Sequence, residues 1–105
     1  MPVTGKRYDF TKTNVDRAPL DHGVYVLFVG NETIYIGRAS GTGVTLRSRL
    51  QEHQRGDEGP CTKQAATYSR ESHEDAAARE LELYREHVAT HGRPPRCNDR
   101  VPPGR

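Results

Sequence analysis

Gly23-Val24-Tyr25-Val26-Leu27-Phe28-Val29-Gly30-Asn31-Glu32-Thr33-Ile34-Tyr35-Ile36-Gly37 is the stretch whose reading decides the fold. Val24 to Val29 is an unbroken apolar run rich in β-branched and aromatic residues, Gly30-Asn31-Glu32 is turn chemistry, and Thr33 to Ile36 returns as a second short run. The pattern predicts a β-hairpin. Side chains alternate faces along a strand and directly paired residues share a face, so the loop length decides which residues meet. A two-residue loop would put Tyr25 and Tyr35 on opposite faces. An odd loop, most simply Gly30-Asn31-Glu32, puts both on one face with Tyr25 opposite Gly37, and asks Asn31 or Glu32 to take the left-handed conformation. A glycine opposite a tyrosine leaves space above the ring.

At 105 residues the chain fits one small domain. Only 32% of it is hydrophobic, with no Trp and two Phe, so the core must be thin. No apolar run approaches a membrane span and the N-terminus lacks the apolar segment of a secretory signal, which leads us to expect a soluble, cytoplasmic protein with no membrane partner. Cys61 and Cys97 have no metal-ligand spacing. Such a pair in an intracellular protein is usually reduced, and sequence alone does not fix its redox state. Formal net charge is only +2, but it is unevenly placed: Arg38 to Arg55 holds four arginines against Glu52, and Arg93 to Arg105 four against Asp99, whereas Glu71 to Glu86 holds six acids against two arginines. Basic segments flanking an acidic helix fit a phosphate-facing surface, and equally fit ordinary surface scatter.

Working outward, residues 1–21 read as an N-terminal arm of little periodicity, with a short strand at Lys6 to Phe10 and turn formers at Thr13-Asn14 and Ala18-Pro19. Arg38 to Gly43 is a glycine-containing connector without the Gly-Lys-Ser/Thr of a P-loop. Thr45 can cap a helix from Leu46 to just before Gly56, on which Leu46 and Leu50 form an apolar stripe and Arg49 and His53, four apart, share the adjoining face. That pair is either two solvated polar residues or two ligands of one anion. Gly56 to Pro60 reads as loop and Lys63 to Arg70 as a third strand. Ser72-His73-Glu74-Asp75 resembles a capping box for a long helix from Ala76 to about His91, stopped by Gly92. The expected architecture is α/β (α+β): a small three-stranded, mainly antiparallel sheet flanked by helices, spanning residues 22–99, with residues 100–105 a flexible tail.

The two tyrosines, with a glycine two residues before the first and another two after the second, resemble the signature of the GIY-YIG nuclease family, Val24 replacing the usual isoleucine. The resemblance continues through Arg49 and His53, Glu80 in the long helix and Asn98 after Pro94-Pro95-Arg96-Cys97, so it covers Gly23 to Asn98. It implies a GIY-YIG-like fold and metal-dependent hydrolysis of phosphodiester bonds in DNA, with single-stranded or structured DNA among the candidate substrates. Carried over residue by residue, Tyr25 matches the general base or water-orienting tyrosine, Tyr35 the tyrosine that bonds phosphate or water, and Arg49 the transition-state arginine. His53 matches a base partner or phosphate contact found in several branches. Glu80 matches the ligand of one Mg²⁺, with Mn²⁺ as the alternative ion. Gly37 and Arg38 fall at the substrate, Arg38 where some members have lysine, and Asn98 matches the terminal asparagine that orients site groups. A free phenol titrates near 10, so a base role for Tyr25 needs a depressed pKa or a relay through another group. The gap from Glu80 to Asn98 exceeds that of repair-type members, and Asn98 reads equally as a turn contact. No attached DNA-binding domain is visible, so sequence specificity is expected to be weak unless a homodimer or protein partner supplies it. The competing reading is a non-catalytic nucleic-acid-binding or adaptor module that retains the fold.

Among the acids of the long helix, Glu80 is singled out twice. By resemblance, Ala76 lies four before it and Leu83 and Tyr84 follow at three and four, which Glu82 cannot match. By geometry, Ala77, Leu81, Tyr84 and Val88 form one stripe, Leu83 widens it toward Glu80, and Glu82 and Glu86 turn to water. A carboxylate at a buried boundary wants a hard cation such as Mg²⁺ or an arginine partner.

Overall fold

Residues 6–98 are described by the computed structural model; the first five residues of the arm, Asp99 and the tail at 100–105 lie outside the described residues. Along the chain run β1 (Tyr8–Asp9), α1 (Lys12–Val15), β2 (Gly23–Val29), β3 (Glu32–Ala39), α2 (Leu46–Arg55), α3 (Pro60–Lys63), β4 (Thr67–Ser72) and α4 (Ala76–His91). The sheet is antiparallel with order β1-β4-β2-β3, so it has four strands where the sequence suggested three; the fourth is the two-residue β1, paired to β4 through Tyr8 and Tyr68.

The hairpin reaches the expected register by another route. Val29 pairs with Glu32 and Phe28 with Thr33, leaving a tight turn at Gly30-Asn31, and a bulge then leaves Ile34 without a cross-strand partner. The extra residue restores odd parity, so Leu27 faces Tyr35 and Tyr25 faces Gly37. The left-handed residue is Gly30, at φ 58°, and not Asn31 or Glu32.

Alternation along β2 and β3 splits the core. On one face Tyr25, Leu27 and Ala39 pack with Leu46 and Leu50 of α2, Val15 and Ala18, and Tyr68; on the other Val24, Val26 and Ile36 pack with Ala76 and Leu83 of α4. In the N-terminal arm, β1 falls within the short strand expected at Lys6 to Phe10, and the turn formers Thr13-Asn14 lie in a helical turn, capped by Thr11 Oγ1 accepting from the Asn14 N–H, whose Val15 is fully buried. Gly23 permits the close approach of β4, since a Cβ there would stand 2.1 Å from the Glu71 carbonyl oxygen.

Three further boundaries differ. Pro60, suited to a first helical turn, opens α3 where loop was expected, so the strand starts at Thr67 and not Lys63. Asp75, not Ser72, caps α4 by accepting from the Ala78 N–H; Ser72 still belongs to β4. The buried stripe of α4 runs through Ala76, Ala77, Glu80, Leu83 and Tyr84, with Leu81 and Val88 only half-buried. Cys61 and Cys97, expected as thiols, form a disulfide across 36 residues of chain, their Cα atoms 5.7 Å apart. Among the described residues no helix is long and apolar enough to cross a membrane.

Candidate active site

The site gathers around Gly37, where the two helical layers meet the edge strand β3. Tyr25 is completely buried and its ring lies over Gly37: a Cβ on that glycine would stand 2.5 Å from the Tyr25 Cζ and Oη and 2.7 Å from Tyr35 Cε2. Tyr35 lies on the same face, its ring centroid 6.1 Å from that of Tyr25. The odd parity of the hairpin therefore delivers both phenols to one place.

His53 corrects the reading of α2. Instead of sharing a solvated face with Arg49 it is 0% exposed, because it sits seven residues after Leu46 and three after Leu50, on the buried stripe itself. Its Nε2 is 2.7 Å from the Tyr25 hydroxyl and its Nδ1 2.8 Å from Thr62 Oγ1. The rings of Tyr25 and Tyr35 flank it at centroid distances of 5.4 and 5.0 Å. Burial, reinforced by the Arg49 charge, lowers the His53 pKa to about 4, so the imidazole is neutral near pH 7. Burial together with Tyr35 holds the Tyr25 phenol well above its ordinary range, and Arg49 pulls only partly the other way. The protein's own groups thus hold this phenol in its protonated form.

Arg49 connects the two sides of the site, its charge acting on Tyr25, His53 and Glu80. Its Nη1 lies 2.6 Å from Glu52 and 3.5 Å from Glu58. Burial opposes its charge, but Tyr25, Glu58 and Glu52 outweigh that and push its pKa up. Glu80 projects from α4 and is 7% exposed; burial raises its pKa against the pull of Arg38 and Arg49. Its ion pair is with Arg38, 3.5 Å from Nη1 to Oε1, so the arginine partner weighed as the alternative to a metal is present. Glu82, by contrast, is about half exposed and bonded to Arg79.

Among the described residues no three His, Cys, Asp or Glu side chains cluster as a metal cage. A single, largely dehydrated carboxylate with one loose cationic partner fits a hard ion that keeps most of its waters, and does not fit a site built wholly from protein ligands.

Asn98 stands behind the site. Its Oδ1 accepts from the Ile36 N–H and its Nδ2 donates to the Ile36 carbonyl, both at 3.0 Å, while the Cys97 N–H donates to the Ile34 carbonyl at 2.8 Å. The asparagine thus holds the edge of β3 between Tyr35 and Gly37. Thr62 is the contributor that sequence reasoning missed. Nothing local marks it, since its role exists only because α3 packs on α2.

No protein-family profile and no curated protein matches the chain in sequence. Its backbone is similar to the GIY-YIG N-terminal endonuclease domain of UvrC from Thermotoga maritima. With that domain bound to magnesium as its catalytic divalent cation, the TM-score is 0.59 at 19% identity over 83% of this chain and 93% of the other. With a tyrosine-to-phenylalanine point mutant it is 0.58 at 20% identity over 85% and 94%, and with an asparagine-to-alanine mutant 0.59 at 19% identity over 85% and 94%. At this identity the likeness is one of fold, and with the four-stranded antiparallel sheet and its helices it gives one conclusion: the chain has the fold of a GIY-YIG endonuclease domain.

Proposed function

We propose that this protein is a metal-dependent endonuclease that hydrolyses phosphodiester bonds of DNA. The observation that carries the reading is the buried hydrogen bond between the Tyr25 hydroxyl and His53 Nε2, at 2.7 Å. A water-activating tyrosine needs somewhere to send its proton, and an imidazole at this distance offers it. In this reading the Tyr25 oxygen takes a proton from the attacking water while its own passes to His53 Nε2, so the phenol never has to ionise alone. Tyr35, beside both groups, bonds the water or the phosphate. Arg49 presents its fork of donors to the charge developing on phosphorus, a role that draws it from Glu52 and Glu58. Arg38 contacts a neighbouring phosphate, and Glu80 is the residue that would hold Mg²⁺, or Mn²⁺. Such an ion, when bound, neutralises charge on the leaving 3′-oxygen. Asn98 and Gly37 hold the strand and the space that this arrangement needs.

The test is incubation of purified protein with labelled single-stranded, duplex and branched DNA, and with RNA, in Mg²⁺ or Mn²⁺ against EDTA. Cleavage of DNA that EDTA abolishes is expected. Binding without cleavage of any substrate would replace this reading with that of a nucleic-acid-binding module.

A further inference from the structure

His53 has two ring nitrogens, and only one carries a proton while the imidazole is neutral. Which one is decided by the hydrogen bond that the other makes. On the side away from Tyr25, Nδ1 meets Thr62 Oγ1 at 2.8 Å; Thr62 is 2% exposed, and among the described residues His53 is the hydrogen-bond partner of its hydroxyl. We propose that Thr62 is a positioning residue: its oxygen accepts the Nδ1–H of His53, fixing the tautomer and the ring orientation in which Nε2 accepts the Tyr25 proton.

Thr62 is itself held firmly, although α3 is a single turn whose N-cap, Gly59, offers no side-chain bond. Such a segment does not support itself. Its neighbour Cys61 is bonded to Cys97, the Cys97 N–H donates to Ile34, and Asn98 clips Ile36. Contacts therefore run in a closed ring: from β3 through Cys97, Cys61 and Thr62 to His53, then through Tyr25 back to Gly37 of β3. His53 belongs to α2, and Tyr25 and Gly37 to the sheet, whereas Thr62 reaches His53 from α3. Thr62 is where the ring acts on the chemistry.

The role rests on the nuclease reading only for its effect on cleavage; the tautomer is observable without it. Long-range ¹⁵N–¹H spectra of the His53 ring, and Mg²⁺-dependent cleavage of labelled DNA, would be measured on the full chain as wild type, Thr62→Ser and Thr62→Val. We expect Nδ1 to carry the proton in wild type and in Thr62→Ser. In Thr62→Val that preference should disappear, with kcat lower by roughly 10- to 100-fold, as when a working histidine loses its outer hydrogen-bond partner, and KM little changed. Wild-type His53 protonated at Nε2, or a Thr62→Val protein that keeps both tautomer and kcat, would overturn the role. Should Thr62→Val fail to fold, the wild-type and Thr62→Ser spectra decide alone. A chain that cleaves nothing while its tautomer follows Thr62 rejects the nuclease reading and leaves the positioning role standing; a nuclease whose tautomer ignores Thr62 does the opposite.

Discussion

An added methyl at Gly37 would meet the Tyr25 ring and hydroxyl at 2.5 Å, far inside van der Waals contact, and the Tyr25 ring is completely buried and has little room to step aside. Gly37→Ala is therefore expected to cost about 1–3 kcal/mol of stability and to separate the Tyr25 hydroxyl from His53; a urea midpoint unchanged from wild type would show that the rings can move. Function should be more sensitive than stability at the neighbouring positions. Tyr25→Phe and Arg49→Ala are each expected to lower cleavage about 10²- to 10³-fold while circular dichroism stays native, and wild-type turnover in either removes the role given to that residue. Glu80 and Glu82 form a matched pair for the metal. Glu80→Gln should abolish Mg²⁺-dependent cleavage with little loss of folding, whereas Glu82→Gln, changing a half-exposed partner of Arg79, should leave cleavage near wild type; the reverse result would move the metal to the other side of α4.

At the scale of elements, the fold relies on ties between segments that have little stability of their own. α3 is four residues long and β1 two, and each is fixed by what it meets: α3 by the Cys61–Cys97 bridge, β1 by stacking of Tyr8 on Tyr68 at 5.4 Å. A crosslink closing a loop of this length removes about 4 kcal/mol of unfolded-state entropy in the chain-entropy model. In a chain with so thin a core that is a large share of the total. Reduction with a dithiol, or a Cys61→Ala/Cys97→Ala double variant, is expected to lower stability by about 2–4 kcal/mol; denaturant midpoints that coincide with and without reductant would show that the bridge constrains nothing. β3 is tied in the same manner, its free edge covered by hydrogen bonds from Cys97 and Asn98 in place of a fifth strand.

Over the whole molecule, the buried histidine makes stability depend on pH in a definite direction. Folded His53 titrates at about 4 against an ordinary value of 6.5, so between these limits the unfolded chain binds a proton that the folded chain does not. Its contribution is complete above pH 6.5 and is lost as pH falls toward 4, amounting to roughly 3 kcal/mol. The urea midpoint should fall with acid across this range in wild type and fall less in His53→Gln; parallel profiles would mean that the imidazole titrates freely in the fold.

The sequence by itself determined what its local periods and end signals encode. Alternation fixed which tyrosines share a face, Thr45 and Gly56 bounded α2, Gly92 closed α4, and the buried boundary of α4 singled out Glu80. The turn length was misjudged and the register still came out as expected, because the apolar faces demand that parity and the bulge at Ile34 supplies it. Only the tertiary structure decided the burial of His53 against Tyr25, 28 residues away, the pairing of Arg38 with Glu80 across 42, the bridge of Cys61 to Cys97 across 36, and the clip of Asn98 on Ile36 across 62. Thr62 lies only nine residues from His53, yet it too meets the ring through the packing of α3 on α2. A period or a cap is written within one turn or one strand, whereas each of these contacts is set by where the sheet and its helices bring distant segments to rest, and no residue near either partner records the other.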